Sequence, residues 1–179
     1  IKGSAHHFGF DWDASAMEQA MHHLLTSHAE GDWRVRLRSN RTGHVQAQAF
    51  PLEATPTCVK VQLASHPLLN ADSEFVRHKT TRRAHYDAFA PTASDVYDTL
   101  LWNGKGELTE FTRGNVALQI DGEWLTPALN CGLLPGISRS LMLEAGQLRE
   151  SILDVEDLAR AEGVAFFNSL RGWISAKMG

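Results

Sequence analysis

Arg77-His78-Lys79-Thr80-Thr81-Arg82-Arg83-Ala84-His85-Tyr86-Asp87 is the stretch from which this chain is best read. It lies between Pro67 and Pro91. Two threonines follow the lysine, with Arg83 at +4, Tyr86 at +7 and Asp87 at +8. The +4 and +7 spacings predict a helix that starts at Lys79 and carries Arg83 and Tyr86 on one face. Thr80 or Thr81 would cap its first turn. A lysine at such a helix mouth, flanked by hydroxyls, is placed to form a Schiff base with a carbonyl cofactor. A Lys/Arg-rich helix start is more often a plain solvated surface, so the downstream segments must choose.

The bounds are those of an ordinary globular protein: 179 residues, 43% hydrophobic and 21% charged, enough for one or two domains with a core. A net charge of −4 with no long basic run excludes a nucleic-acid partner of the electrostatic kind. No apolar stretch reaches membrane-spanning length, and the start is not signal-like. Cys58 and Cys131 stand alone, which points to reduced thiols and a cytoplasmic setting. The chain opens on Ile1 and reads as a piece of something longer.

Outward from the lysine stretch, the N-terminal side reads as a small α+β unit. A helix end runs into Gly9. Ser15 and Glu18 have capping-box spacing ahead of a helix with Met17, Met21, Leu24 and Leu25 on one face. Strands follow at Trp33–Leu37, Val45–Ala49 and Val59–Leu63, the first two joined by the turn Asn40–Gly43. Ser65 to Asp72 is the candidate linker. The C-terminal side is strand-rich. Val96–Trp102, Glu107–Glu110 and Val116–Ile120 are strands, with Asp121-Gly122 as a hairpin dipeptide. A helix opens at Leu133–Arg139, a short one spans Asp154–Ala161, and strands Val164–Phe167 and Trp173–Ala176 flank a loop at Asn168–Gly172.

Three of these segments have chemical readings beside ordinary ones. Thr109-Glu110-Phe111-Thr112-Arg113-Gly114-Asn115 is a buried acid held by a tight turn, or an exposed hairpin. Leu134-Pro135-Gly136-Ile137-Ser138-Arg139 offers free amides and a hydroxyl at a helix start, suited to a phosphate, although most such starts bind water. Asn168-Ser169-Leu170-Arg171-Gly172 is a polar loop or a plain turn. The adjacent pairs His6-His7 and His22-His23 diverge on a helix and lack ligand spacing for a metal. Arg34, Arg36 and Arg38 read as a charged strand face.

In order and spacing, Lys-Thr-Thr-x-Arg-x-x-Tyr-Asp, Glu-x-Thr-x-x-Asn, Thr-Pro, Leu-Pro-Gly-Ile-x-Arg and Asn-Ser-Leu-Arg-Gly together resemble the fold-type IV (class IV) pyridoxal-phosphate enzymes. These include branched-chain and D-amino-acid aminotransferases and aminodeoxychorismate lyase. The resemblance runs from about Phe75 to the end and, more loosely, through the unit before it. It implies an α+β fold of the D-amino-acid aminotransferase type. Residues 1–66 would be the remnant of a small α+β domain, and residues 67–179 the larger β-rich, pyridoxal-phosphate-binding domain. Ile1–Ala5 looks like the segment directly after the family's phosphate-binding arginine, so the chain is expected to begin just past it.

Carried over by position, the resemblance makes Lys79 the Schiff-base lysine and Glu110 the acid at the pyridine nitrogen. Gly136, Ile137 and Ser138 become the phosphate cup. Asn115, Asn168 and Ser169 fall beside the cofactor, with Arg83 and Tyr86 as supports. Ala117 and Trp124 depart from the usual residues, at packing positions. The motifs are most like those of aminodeoxychorismate lyase, and the resemblance extends to the C-terminal part of a fused para-aminobenzoate synthase. An aminotransferase for branched-chain or D-amino acids is the alternative, and a catalytically silent module is a third reading. A small-molecule substrate and a homodimer are implied.

Overall fold

The computed structural model describes residues 1–179, which divide into two compact units, Ile1–Ala54 and Thr55–Gly179. The first contains α1 (Lys2–His7), α2 (Ala14–Ser27) and the antiparallel pair β1 (Trp33–Ser39) and β2 (Val45–Pro51). The start of α2 differs from the capping-box expectation. Asp13 is the N-cap, and its carboxylate accepts from the Ala16 amide at 3.0 Å and the Ser15 hydroxyl at 2.7 Å. An acceptor two residues before Ser15 reaches a free first-turn amide directly. On the β1–β2 ribbon, Arg34 and Arg36 lie over the Phe50 ring, 4.7 and 5.0 Å from its centroid. No helix of the chain is long and apolar enough to cross a membrane.

The second unit runs β3 (Cys58–Leu63), α3 (Glu74–Arg77), α4 (Ala84–Asp87), β4 (Asp98–Trp102), β5 (Leu108–Phe111), β6 (Asn115–Ile120) and β7 (Glu123–Pro127). A 3-10 turn at Leu129–Cys131 leads to α5 (Ile137–Glu144) and β8 (Arg149–Ser151). A second 3-10 turn, Val155–Ala159, replaces the helix expected there, and β9 (Gly163–Asn168) and β10 (Gly172–Met178) complete the unit. All eight strands from β3 onward form one sheet in the order β5-β4-β3-β10-β9-β6-β7-β8. The boundary therefore falls before β3 rather than in the Ser65–Asp72 stretch. Sequence periodicity assigned β3 to its chain neighbours, but its hydrogen-bond partners are β10 and β4, both parallel to it. The sheet also curls until its ends meet. The Leu108 amide donates to the Leu153 carbonyl at 2.7 Å, and Glu107 bridges to Asp154. Closure of this kind leaves no long open edge.

Alternation sends neighbouring residues to opposite faces of the sheet. Leu100, Val116 and Phe166 enter the interior cluster with Val61, Phe111 and Ile174. Leu101 packs on the outer face with Leu68, Ala71, Val76, Tyr86 and Phe89. Ala117 and Phe167 pack outside with Leu148, Trp124 and Trp173. Ala117 is fully buried, and Trp124 meets Trp173 edge-on at 4.8 Å, so a small and a large side chain share that outer layer.

Two connections join parallel neighbours and must cross over the sheet. One leads from β3 to β4 and carries α3, Lys79 and α4; the other leads from β7 to β8 and carries Gly136 and α5. The outer apolar clusters are what hold them down.

Candidate active site

Lys79 is not at a helix start. It lies in the irregular chain between α3 and α4, and α4 is a single turn that begins only at Ala84. Thr80 explains the difference. Its hydroxyl oxygen accepts from the Arg82 amide at 3.2 Å, a local turn that competes with helix formation. Arg83 still meets Tyr86, its guanidinium lying 4.6 Å from the ring centroid, and it donates to the Thr112 carbonyl at the end of β5.

Glu110 occupies an irregular place on β5. Leu100 and Trp102, two apart on β4, oppose Phe111 and Leu108, three apart on β5. This bulge lets both Leu108 and Phe111 enter the interior core, while Glu110 turns to the outer face. There the residue is 3% exposed. The Tyr86 hydroxyl donates to Oε1 at 2.6 Å, and the Leu134 amide donates to Oε2 at 3.2 Å. Burial pushes the Glu110 pKa up to about 7, against the pull of those hydrogen bonds and of the Lys79 and Arg83 charges. The Tyr86 hydroxyl is pushed far above its ordinary value by burial and by Glu110 beside it.

The Lys79 amine feels the complementary field. Lys79 is exposed as a residue, but protein crowds its amine, and this loss of water lowers its pKa from 10.5. The Arg83 charge lowers it further, and Glu110 opposes. Lysine and glutamate are thus both biased toward their neutral forms by burial while each favours the charge on the other.

The second crossover meets this pair through Leu134–Ser138. Asn115, buried at the start of β6, donates from Nδ2 to the Leu134 carbonyl at 3.0 Å. Its Oδ1 faces Gly136 so closely that a Cβ there would overlap it. Gly136 is the N-cap of α5, so the first-turn amides of the helix open beside the bound acid. Ile137 contributes backbone only, since its side chain is 68% exposed. The Ser138 amide donates to the Ser169 hydroxyl at 3.3 Å, bringing in the β9–β10 loop. Asn168 shapes that loop from within: Oδ1 accepts from the Leu170 and Arg171 amides, and Nδ2 donates to the Arg113 carbonyl. The side chains of Asn115 and Asn168 are therefore engaged with the protein's own backbone.

The residues picked out by sequence come together, but three that support them were not recognised as such. Arg139, 2% exposed, donates to the Pro127 carbonyl and to Glu150, fastening α5 to β7 and β8. Gly132, at φ +94°, lies against the Ala71 carbonyl, where any Cβ would collide. Asp98, fully buried at the start of β4, accepts from Thr112 and Arg113. A glycine with turn residues around it is at least a visible signal. An aspartate before Thr-Leu-Leu reads as an ordinary strand end.

A curled mixed sheet that presents a desolvated lysine, a buried carboxyl group and a helix N-terminus from its connections defines a class of enzyme rather than a binding scaffold. The chain belongs to the class IV aminotransferase family, whose description (Amino-transferase class IV) matches residues 1–178. This is a family of pyridoxal-phosphate-dependent enzymes. A Schizosaccharomyces pombe protein named "Putative aminodeoxychorismate lyase" is 32% identical over 96% of this chain and 77% of its own length. The structure of a "Putative amino-acid aminotransferase" from Mesorhizobium loti is 34% identical and superposes with a TM-score of 0.92, covering 99% of this chain and 87% of that one. A Legionella pneumophila structure named "Putative 4-amino-4-deoxychorismate lyase" shares the fold at a TM-score of 0.85 and 18% identity, over 99% of this chain and 74% of its own.

Proposed function

We propose that this protein binds pyridoxal phosphate at Lys79 and converts 4-amino-4-deoxychorismate to para-aminobenzoate and pyruvate. The observation that carries the reading is the pairing of a desolvated Lys79 amine with a buried Glu110 beside the α5 N-terminus. The site suits the cofactor chemically. Glu110 would offer a carboxylate to a protonated ring nitrogen, and the start of α5 suits a phosphate through its first-turn amides, although that of Gly136 now donates to the Leu134 carbonyl and that of Ser138 to the Ser169 hydroxyl. Gly136, with no Cβ, lets Asn115 Oδ1 approach the backbone at this helix start. When bound, the cofactor supplies an aldehyde that captures amines and a ring that accepts electrons.

The rest of the reaction falls to the chain's own groups. A lysine with a lowered pKa is more readily neutral, as both amine capture and proton abstraction require. Lys79 takes the proton from the amine-bearing carbon of the substrate. The bond from the ring carbon to the enolpyruvyl oxygen then breaks, the electron pair leaves with that oxygen as the enolate of pyruvate, which takes up one proton to become pyruvate, and the remaining ring becomes aromatic. That gain makes the step effectively irreversible. With the cofactor bound, the positive charge of its ring would favour the ionised form of Glu110, which would in turn hold that charge. The Asn168–Gly172 loop contributes to substrate choice.

The Mesorhizobium loti neighbour, at 34% identity, favours a second reading: an aminotransferase that passes the amino group to a keto acid. The same base serves both reactions, so the substrate must decide. Borohydride treatment of the loaded protein, followed by peptide mapping, should leave a pyridoxyl label on Lys79. Label on Lys60, Lys105 or Lys177 would overturn that assignment. Supplied with aminodeoxychorismate, the protein should release para-aminobenzoate. Amino-group exchange between branched-chain or D-amino acids and 2-oxoglutarate, without para-aminobenzoate, would reverse the choice. The family also supports a homodimer as the working unit, which light scattering would test.

A further inference from the structure

The turn between β5 and β6 holds more of the site than its own residues. Thr112 offers its carbonyl to Arg83, four residues after Lys79. Arg113 offers its carbonyl to Asn168 Nδ2 at 3.0 Å, and Asn168 in turn organises the Leu170 and Arg171 amides. Glu110 lies just before the turn, and Asn115, which clamps Leu134, just after it. Four separate chain segments therefore take their positions from one short turn.

One buried side chain gathers that turn from beneath, beside backbone bonds from the Thr112 amide to the Thr99 carbonyl and from the Phe111 amide to the Gly114 carbonyl and the Arg113 contact to the Tyr97 carbonyl. Asp98 has no exposed surface. Its Oδ1 accepts from the Thr112 hydroxyl at 2.6 Å and the Thr99 amide at 2.7 Å. Its Oδ2 accepts from the Arg113 amide at 3.2 Å and Nε at 3.3 Å. Gly114 completes the seat, because a Cβ there would lie 2.6 Å from the Phe166 ring. We propose that Asp98 is a positioning residue which, by fixing Thr112 and Arg113, sets the registers of the Lys79 segment, the Glu110 strand and the Asn168 loop together.

The proposal predicts coupling across segments far apart in sequence. In Asp98→Asn, one carboxyl oxygen becomes an NH₂ group that meets either the Arg113 donors or those of Thr99 and Thr112. A donor facing a donor in a buried site leaves both unmade. Thr112→Val removes one hydroxyl and no backbone group, and Thr112→Ser restores it.

Amide hydrogen exchange on the protein without cofactor reads the coupling directly. In Asp98→Asn, and less strongly in Thr112→Val, amides at 83–87, 110–114 and 168–171 should exchange about tenfold faster together. Those of Leu118 and Phe166 should keep their wild-type rates, and Thr112→Ser should restore protection. Faster exchange confined to 112–114, or spread evenly over the sheet, would overturn the proposal; if Asp98→Asn does not fold, Thr112→Val decides. The proposal rests on the functional reading in one respect: the loosened site should also bind pyridoxal phosphate about tenfold more weakly. A wild-type protein that takes up no pyridoxal phosphate sinks the functional reading and leaves the exchange pattern to judge Asp98. Unchanged affinity in a variant that shows the exchange pattern would sink the claim that Asp98 positions the cofactor residues.

Discussion

Lys79 and Glu110 are brought to one place by opposite means. Lys79 sits on irregular chain between two one-turn helices, exposed as a residue although protein crowds its amine, its own side chain held by no hydrogen bond to the protein. Glu110 sits in a strand of the closed sheet, almost wholly buried, with a donor on each carboxyl oxygen. The difference fits the work proposed for them. A group that must exchange partners and move a proton needs slack, whereas one that holds a charge needs to be fixed. Tyr86 joins the two regions, since it belongs to the lysine crossover by sequence and to Glu110 by hydrogen bond.

Breaking the lysine side should have the largest effect. Lys79→Ala should lower turnover at least ~1000-fold by removing nucleophile and base together. It should leave the melting temperature near wild type, which calorimetry can check, because the side chain supports no packing. The other side should respond differently. Glu110→Gln should retain the cofactor by absorbance but lose roughly 100-fold in turnover, since a neutral amide no longer holds a ring charge. Unchanged turnover would reject the role.

Gly132→Ala tests how the crossover is seated. Positive φ and collision with the Ala71 carbonyl should cost about 3 kcal/mol in a urea titration. Tyr86→Phe is the mildest change and sharpens the comparison most. Loss of its hydrogen bond should cost roughly 1–2 kcal/mol and raise the Glu110 pKa beyond about 7, because that bond lowers it.

The sign of the accompanying pH effect is fixed. The Glu110 pKa is higher in the folded protein (about 7) than its ordinary value of 4.5, so the folded state binds the extra proton between them. Without cofactor, this group's contribution to stability is fully present below pH 4.5 and is lost as pH rises through about 7. Urea midpoints across that window should show the decline in wild type. Tyr86→Phe should carry it to higher pH, and Glu110→Gln should flatten it.

Much of this was legible in the sequence because it is local. Alternation located β1, β2 and β3, the apolar segments on either side of the Asn168–Gly172 loop located β9 and β10, and Asp121-Gly122 marked a hairpin that the structure forms with positive φ at both residues. The Leu-Pro-Gly stretch announced the start of α5. The +4 and +7 spacing of Arg83 and Tyr86 was misread as a helix face, although both residues do reach the site. Thr80 supplied a competing local hydrogen bond that spacing cannot register. Short β8 was missed because three residues carry too little periodicity to separate them from a loop.

The sequence by itself determined which residue types were available and in what order: a lysine among hydroxyls, an acid before a turn, a proline-glycine helix mouth. Only the tertiary structure decided that β3 joins the large sheet and that a bulge turns Glu110 outward. It alone placed the Tyr86 hydroxyl and the Leu134 amide on that carboxyl group, and Asp98 under the neighbouring turn. The physical reason is range. Periodicity and capping are set within a few residues, whereas register, closure and the burial of a charge depend on partners tens of residues away.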